Sequence, residues 1–468
     1  MLVTAADLWE PAPGTVVSWQ VAPGPAAPRP VDLSLNQRNH LAGAVIGEPS
    51  VWLAAVFDVD GPIDVAALEH AYRAVVARHS SLQCGAVVTG HEVRGVRHDV
   101  DALAWSRTEH APTSSVGQTR DLVTDQLDRA CSPLTYPAFW PAAVSRPDRS
   151  TIVFGLDHLH ADAYSLVVLV DDLHALYDAA VAGRPSPDLP QAACFVSALE
   201  RPLPRVSAQD DRLAAWHDFL RAHDHRLPTF PISLGVEPGE RAAQRTAVRQ
   251  LAGTDLTQAL GEHARRHGGS TASAAFAGLA GAVDAMGGPE RLAVLTPVQT
   301  RVTDDERRAV GWYTTTTPVE VTAHRDGCLA LSDAGAGLAA GRAMAAVPLD
   351  QVLETASEAV ARERTDVFMA SYLDYRRLPG HRELARRRAH HVSAPTRADD
   401  LQLWVSRTDA GLAVRARMPD TPTAQRVVSD LLAAWAARLH DLVPCRGTRG
   451  TEITAAASGR SGCRRGGP

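Results

Sequence analysis

The chain has 468 residues, 45% of them hydrophobic, and a formal charge of −6 from 53 acidic and 47 basic side chains, the latter all arginine. Such a length exceeds one ordinary core and calls for two or three structural units. The mildly acidic, evenly spread charge excludes a duplex nucleic acid partner, and no window reaches the roughly 18 apolar residues of a membrane span. The first residues have neither the basic nor the apolar region of a signal peptide. The 6 cysteines stand apart, with no Cys-x-x-Cys pair and no metal spacing, so reduced thiols in a cytoplasmic protein are expected.

Residues 1–30 read as an irregular Pro- and Ala-rich extension around a short strand, Thr15–Trp19. Asp32–His40 is a polar entry into a helix, and Val51–Val59 alternates as a strand. Asp64 caps an amphipathic helix over Val65–Ser80, with Leu68, Ala71, Tyr72, Val75 and Val76 inward. Strands are predicted at Leu82–Val88 and His91–His98, a helix at Gly117–Ala130, and a strand from Thr151. Proline-rich residues 183–211, holding a short helix at Ala192–Leu199, mark a junction. Beyond it the pattern predicts helices at Asp211–His223, Leu256–His267, Thr271–Met286, Ala334–Met344 and Asp350–Arg364. Thr271–Met286 is almost free of charge and therefore buried. Strands are predicted at Arg245–Leu251, Leu292–Pro297, Thr314–Val321 and Asp366–Leu373. A hairpin over Leu401–Arg407 and Gly411–Met418 and a last helix at Ala424–Leu442 follow. The division expected is an N-terminal lobe at 31–205, a C-terminal lobe at 206–443 and a disordered tail at 444–468.

Thr151–Tyr177 carries the most chemical information. An apolar, β-branched run at Thr151–Phe154 predicts a buried strand. Apolar positions at helical spacing from Leu166 to Tyr177 predict a helix, with Ser165 as its N-cap. Between them stand Asp157, His158, His160 and Asp162, in the kind of strand-end turn where a scaffold usually holds chemistry. A neutral imidazole at His158 suits a general base, and a buried Asp162 requires a cation or donors. Other readings stay open: His158 and His160 with either aspartate as metal ligands, Ser165 as a nucleophile without a Gly-x-Ser-x-Gly elbow, or satisfied polar groups with no chemistry. Gly335-x-Gly337 lacks the full dinucleotide fingerprint. Arg386–Arg388 with His390 and His391 reads as a solvated loop, phosphate contact being the alternative.

The turn resembles the His-His-x-x-x-Asp-Gly motif of the condensation-domain and chloramphenicol-acetyltransferase-like superfamily. Aligned on Asp162-Ala163, His158 falls on the motif's second histidine and Asp162 on its aspartate. Asp157 stands where the first histidine is usual, and Ala163 where the glycine is usual. Asp32–Leu41, Gly61–Gln83, Val294–Arg301, Val310–Pro318 and Val347–Leu353 resemble the family's other motifs, in order. Pro13–Trp19 and Ser371–Pro379 are similar to segments of the free-standing, mycobacterial-type polyketide-associated acyltransferases.

The resemblance implies an α/β fold of two chloramphenicol-acetyltransferase-like lobes, each a mixed sheet with flanking helices, in a V around a central channel. It implies an acyltransferase that moves an acyl group from a CoA or carrier-protein thioester to a hydroxyl, with no cofactor beyond that thioester co-substrate. An amide-forming nonribosomal-peptide condensation enzyme and a catalytically decayed binding module are the alternatives. His158 would be the base, Asp162 and Arg301 a structural ion pair, and the Ala163 N–H an oxyanion donor. Tyr313, Thr315 and Asp157 are candidate channel residues. Asp157 could accept a hydrogen bond locally; placed instead beside His158, it would raise the pKa of the imidazole. A monomer is expected.

Overall fold

The computed structural model describes residues 2–90, 92–201 and 203–443; the tail expected to be disordered lies outside the described residues. Two seven-stranded mixed sheets, one per lobe, organise the chain. The first runs, in spatial order, Leu2–Ala5, His390–Ser393, Trp52–Asp60, Arg149–Asp157, Phe139–Ser145, Thr15–Ala22 and Ala104–Glu109. The second runs Thr314–Thr322, Arg291–Gln299, Met369–Asp374, Gln402–Thr408, Gly411–Pro419, Ala242–Ala252 and Arg397–Ala398. This is the two-lobed α/β architecture expected. Among the described residues, no helix is long and apolar enough to cross a membrane.

In the first lobe Asp64 caps the helix Val65–Arg78 through the Ala67 N–H, and Leu68, Ala71, Tyr72, Val75 and Val76 are all buried. That face lies against the helix Ala163–Val181, whose residues from Tyr164 to Val170 are buried without a break. A helix apolar all round has to be an interior one, and its N-terminus therefore opens inside the molecule. In the second lobe Thr271–Ala285 is the counterpart. Its glycine at 278 sits where a Cβ would come within 2.8 Å of Leu439 and 2.9 Å of Trp435, so the helix Pro422–Asp441 can lie close. Trp435 Nε1 then donates to the Ala275 carbonyl at 2.9 Å.

The helix predicted over Asp350–Arg364 is only Leu349–Thr355. Downstream, the Ala361 N–H donates to the His225 carbonyl at 2.8 Å, and the Ala361 carbonyl accepts from the Leu227 N–H at 3.1 Å. Tertiary pairing here overrides a helical propensity. The solvated loop read at 386–391 is exposed only at Arg386 and Arg388; it continues into the strand His390–Ser393, in which His391 is buried. That strand lies between Leu2–Ala5 and Trp52–Asp60. The segment counted with the C-terminal lobe thus contributes a strand to the N-terminal sheet, and residues 2–22 of the extension contribute two more.

Candidate active site

Two aspartate caps in series build the turn. The strand Arg149–Asp157 ends where Asp157 Oδ1 accepts the Leu159 N–H at 2.8 Å, opening a single 3-10 turn over His158–His160. Asp162, rather than Ser165, is then the N-cap of the long helix: it is the last extended residue, and its Oδ1 accepts the Ser165 N–H at 2.9 Å. The Ser165 hydroxyl lies 2.8 Å from the same oxygen and 2.9 Å from the Gly311 carbonyl. It is held as a structural group and not as a nucleophile.

Asp162 reaches across to the second lobe. Its Oδ2 accepts from the Arg301 guanidinium at 2.6 Å, its Oδ1 from the same group at 3.1 Å, and its Oδ2 also from the Tyr313 N–H at 3.1 Å. Arg301 is 8% exposed. It donates further to the carbonyls of Glu306, Ala309 and Gly311 and lies between the Tyr164 and Tyr313 rings, 4.5 and 4.4 Å from their centroids. Burial alone would raise the Asp162 pKa. The Arg301 charge and the Ser165 donors outweigh it and hold the carboxyl below its ordinary value. A Cβ at Gly311 would collide with the Phe195 ring, so glycine lets this irregular segment approach close enough to join the network.

His158 has none of these ties. Its N–H donates to the Val51 carbonyl at 3.0 Å, which fixes the backbone. Its ring lies on the Trp312 ring, centroids 4.0 Å apart, and 6.5 Å from His40. The residue keeps partial exposure. Its buried Nδ1 has no hydrogen-bond partner; the residue's own carbonyl is near but not in regular geometry. Burial first, and His40 second, push its pKa below the ordinary value, outweighing Asp157 and Asp162. The ring is therefore neutral at neutral pH, with a lone pair available.

Asp157 accepts a local hydrogen bond, from the Leu159 N–H, and otherwise points away from the His158 ring; its charge raises the His158 pKa, but burial and His40 outweigh it. Its Oδ1 faces His40 Nε2 at 2.7 Å and its Oδ2 the Ser50 hydroxyl at 3.3 Å. His160 is turned to the opposite side, with Nδ1 2.8 Å from the Ser81 carbonyl. Ala163, first residue of the helix, has an ordinary negative φ. The buried Tyr313 has a hydroxyl without a partner, and its pKa is raised by burial. Thr315 is a half-buried strand residue opposite Val298. Gly335 and Gly337 lie within the helix Gly327–Met344, packed against the strand Thr314–Thr322.

The sequence reading passed over two residues, His40 and Trp312. His40 follows Gln37 by three positions on the helix Leu35–Val45, and Gln37 Nε2 donates to the Leu159 carbonyl at 3.0 Å. Helical spacing from Gln37 was the available signal. For Trp312, set in an irregular stretch, no periodic signal existed.

The condensation-domain family model matches residues 33–374. Acyltransferase PapA3 of Mycobacterium tuberculosis is 25% identical over 457 residues, covering 91% of this chain and 93% of that protein. The 2'-acyl-2-O-sulfo-trehalose (hydroxy)phthioceranyltransferase PapA1 of Mycobacterium bovis is 27% identical over 342 residues, covering 68% and 64%. Among solved structures, a PapA2 acyl transferase superposes with a TM-score of 0.86 at 22% identity, covering 95% of this chain and 100% of that one. Fold and sequence thus point to one class, proteins of two joined chloramphenicol-acetyltransferase-like lobes. The chain belongs to the condensation-domain family and is one of its acyltransferases.

Proposed function

We propose that the protein moves an acyl group from a CoA or carrier-protein thioester to a hydroxyl acceptor in lipid or natural-product biosynthesis, with His158 as general base. The observation that carries this reading is the His158 ring: neutral, partly exposed and without a hydrogen-bond partner among the described residues, beside the paired Asp162 and Arg301. The imidazole takes the acceptor's proton as its oxygen attacks the thioester carbonyl. The Ala163 N–H, at the first helical position and so free of an intrahelical acceptor, donates to the oxyanion. Collapse of the tetrahedral intermediate expels the thiolate, which takes the proton from the imidazolium. The Asp162–Arg301 pair touches no reacting atom in this scheme; it holds the turn and the second lobe together. Relatives named as acyltransferases, one of them by a sugar derivative, support a hydroxyl over an amine acceptor.

The test is a matched assay of an acyl-CoA with an alcohol and with an amine of the same carbon skeleton. Ester formation that His158→Ala abolishes, in a protein with unchanged circular dichroism, is expected. Amide as the main product would favour the condensation reading, and turnover unchanged in His158→Ala would overturn the mechanism.

A further inference from the structure

Arg415 and Arg417 alternate along the strand Gly411–Pro419 and share the face turned away from the second lobe's core. Both are buried, at 5% and 7% exposure. Arg417 is saturated: it pairs with Asp366 at 3.0 Å and donates to the side chains of Gln244, Gln402 and Thr396. Arg415 lies over the Trp404 ring, 4.6 Å from its centroid. Among the described residues no carboxylate pairs with it, and its buried Nε has no acceptor. A buried cation left in this way is costly unless something compensates it.

Arg415 lines a cavity of about 410 Å³ together with Val3, Leu384, Ala413, Tyr375 and Ser406. The wall is mostly apolar in area; Arg376, His381 and Asp409 also line it, and two hydroxyls stand near the guanidinium. A second unsatisfied group lies near Arg415. His391, the register partner of Val3, is buried with neither ring nitrogen hydrogen-bonded. Burial, and then the Arg415 charge, bring its pKa to about 3, so it is neutral and can donate one N–H. Nothing in the scheme for His158 uses either group.

We propose that this cavity binds an amphiphilic monoanion, its carboxylate or sulfate on the Arg415 guanidinium and its apolar body against Val3, Leu384 and Ala413. The planar fork of an arginine matches a two-oxygen anion. The Tyr375 and Ser406 hydroxyls bond to each other, which leaves one hydroxyl hydrogen of the pair for a remaining lone pair. The inference does not depend on His158 being a base.

Calorimetric titration with octanoate, octyl sulfate and octanol, each below its micelle threshold, tests it on the full chain. At least one anion is expected to bind the wild type about tenfold or more tightly than octanol, the scale of one charge-assisted hydrogen bond; the tighter of the two names the head group. His158→Ala keeps that preference, Arg415→Met loses it, and Arg415→Lys, which keeps the charge, retains part of it. Octanol binding the wild type as well as both anions would overturn the proposal, whatever the variants do. So would a folded Arg415→Met, judged by near-UV circular dichroism, that still prefers the anion.

Discussion

His158 and Asp162 lie on one turn, and the fold treats them in opposite ways. Asp162 accepts hydrogen bonds from Arg301, Ser165 and Tyr313, so that burying its charge is offset by several short contacts. His158 has its backbone tied to Val51 and its ring left without a hydrogen bond. A carboxylate so fully occupied has no lone pair to spend on a substrate, whereas an imidazole so bare has nothing else to do with its own. In the proposed scheme the pair divides the labour: one fixes where the turn points, and the other presents a proton acceptor there.

The sharpest way to break this contrast is to remove each side chain in turn. His158→Ala is expected to lower turnover by about 10²–10⁴-fold, the usual contribution of a positioned base, while moving the urea midpoint far less than Asp162→Ala does, since the ring makes no hydrogen bond and only packs on Trp312. Asp162→Ala should do the reverse in kind. It leaves Arg301 buried without a counter-charge and removes a helix cap, so about 3–5 kcal/mol of stability is expected to go, read by urea denaturation. Asp162→Ala with Arg301→Met should recover part of that loss, because an apolar pair leaves no unpaired buried charge. If Asp162→Ala were as stable as the wild type, the scaffolding half of the comparison would fail.

Titration sharpens the same contrast. Burial lowers the pKa of His79, His158, His160 and His391. For such groups the unfolded chain binds protons first, so stability is full above the ordinary histidine value of about 6.5 and falls as pH drops from there towards each folded value. For His391 that window runs from about 6.5 down to about 3, with a slope of about 1.4 kcal/mol per pH unit. His391→Gln should flatten the acid limb of a stability–pH curve by one such group. Turnover is expected to persist below the ordinary histidine range and to fall only as pH passes the lowered His158 value.

The turn, the buried helix behind it and the order of segments along the chain were legible because each is local: a β-branched run, a 3.6-residue period, a short motif. Asp162 and Arg301 were read from separate motifs, and the structure sets them 2.6 Å apart. What local pattern does not encode is pairing across the chain. Leu2–Ala5 and His390–Ser393 are too short to show a period and exist as strands because each lies against the other. Residues 356–364 read as helix, yet Ala361 is recruited by the 225–227 segment. For Asp157 the sequence leaves a local hydrogen bond and a place beside His158 both open; the extended backbone at 157 gives the first, through the Leu159 N–H, and turns the carboxylate to His40.

The smallest expected effect falls on the residue between the two halves of the contrast. Ala163 follows Asp162 directly and stands where the family motif has glycine, yet only its backbone N–H enters the proposed chemistry. At an ordinary negative φ the methyl group demands no strain, and the first helical position offers that N–H whether or not a Cβ is present. Ala163→Gly should therefore change stability by less than about 1 kcal/mol and kcat/KM by no more than a few-fold. A rise well beyond that, with stability unmoved, would mean that the methyl group itself obstructs the substrate. The oxyanion site would then be set by side-chain volume at 163 as well as by the direction that Asp162 gives the turn.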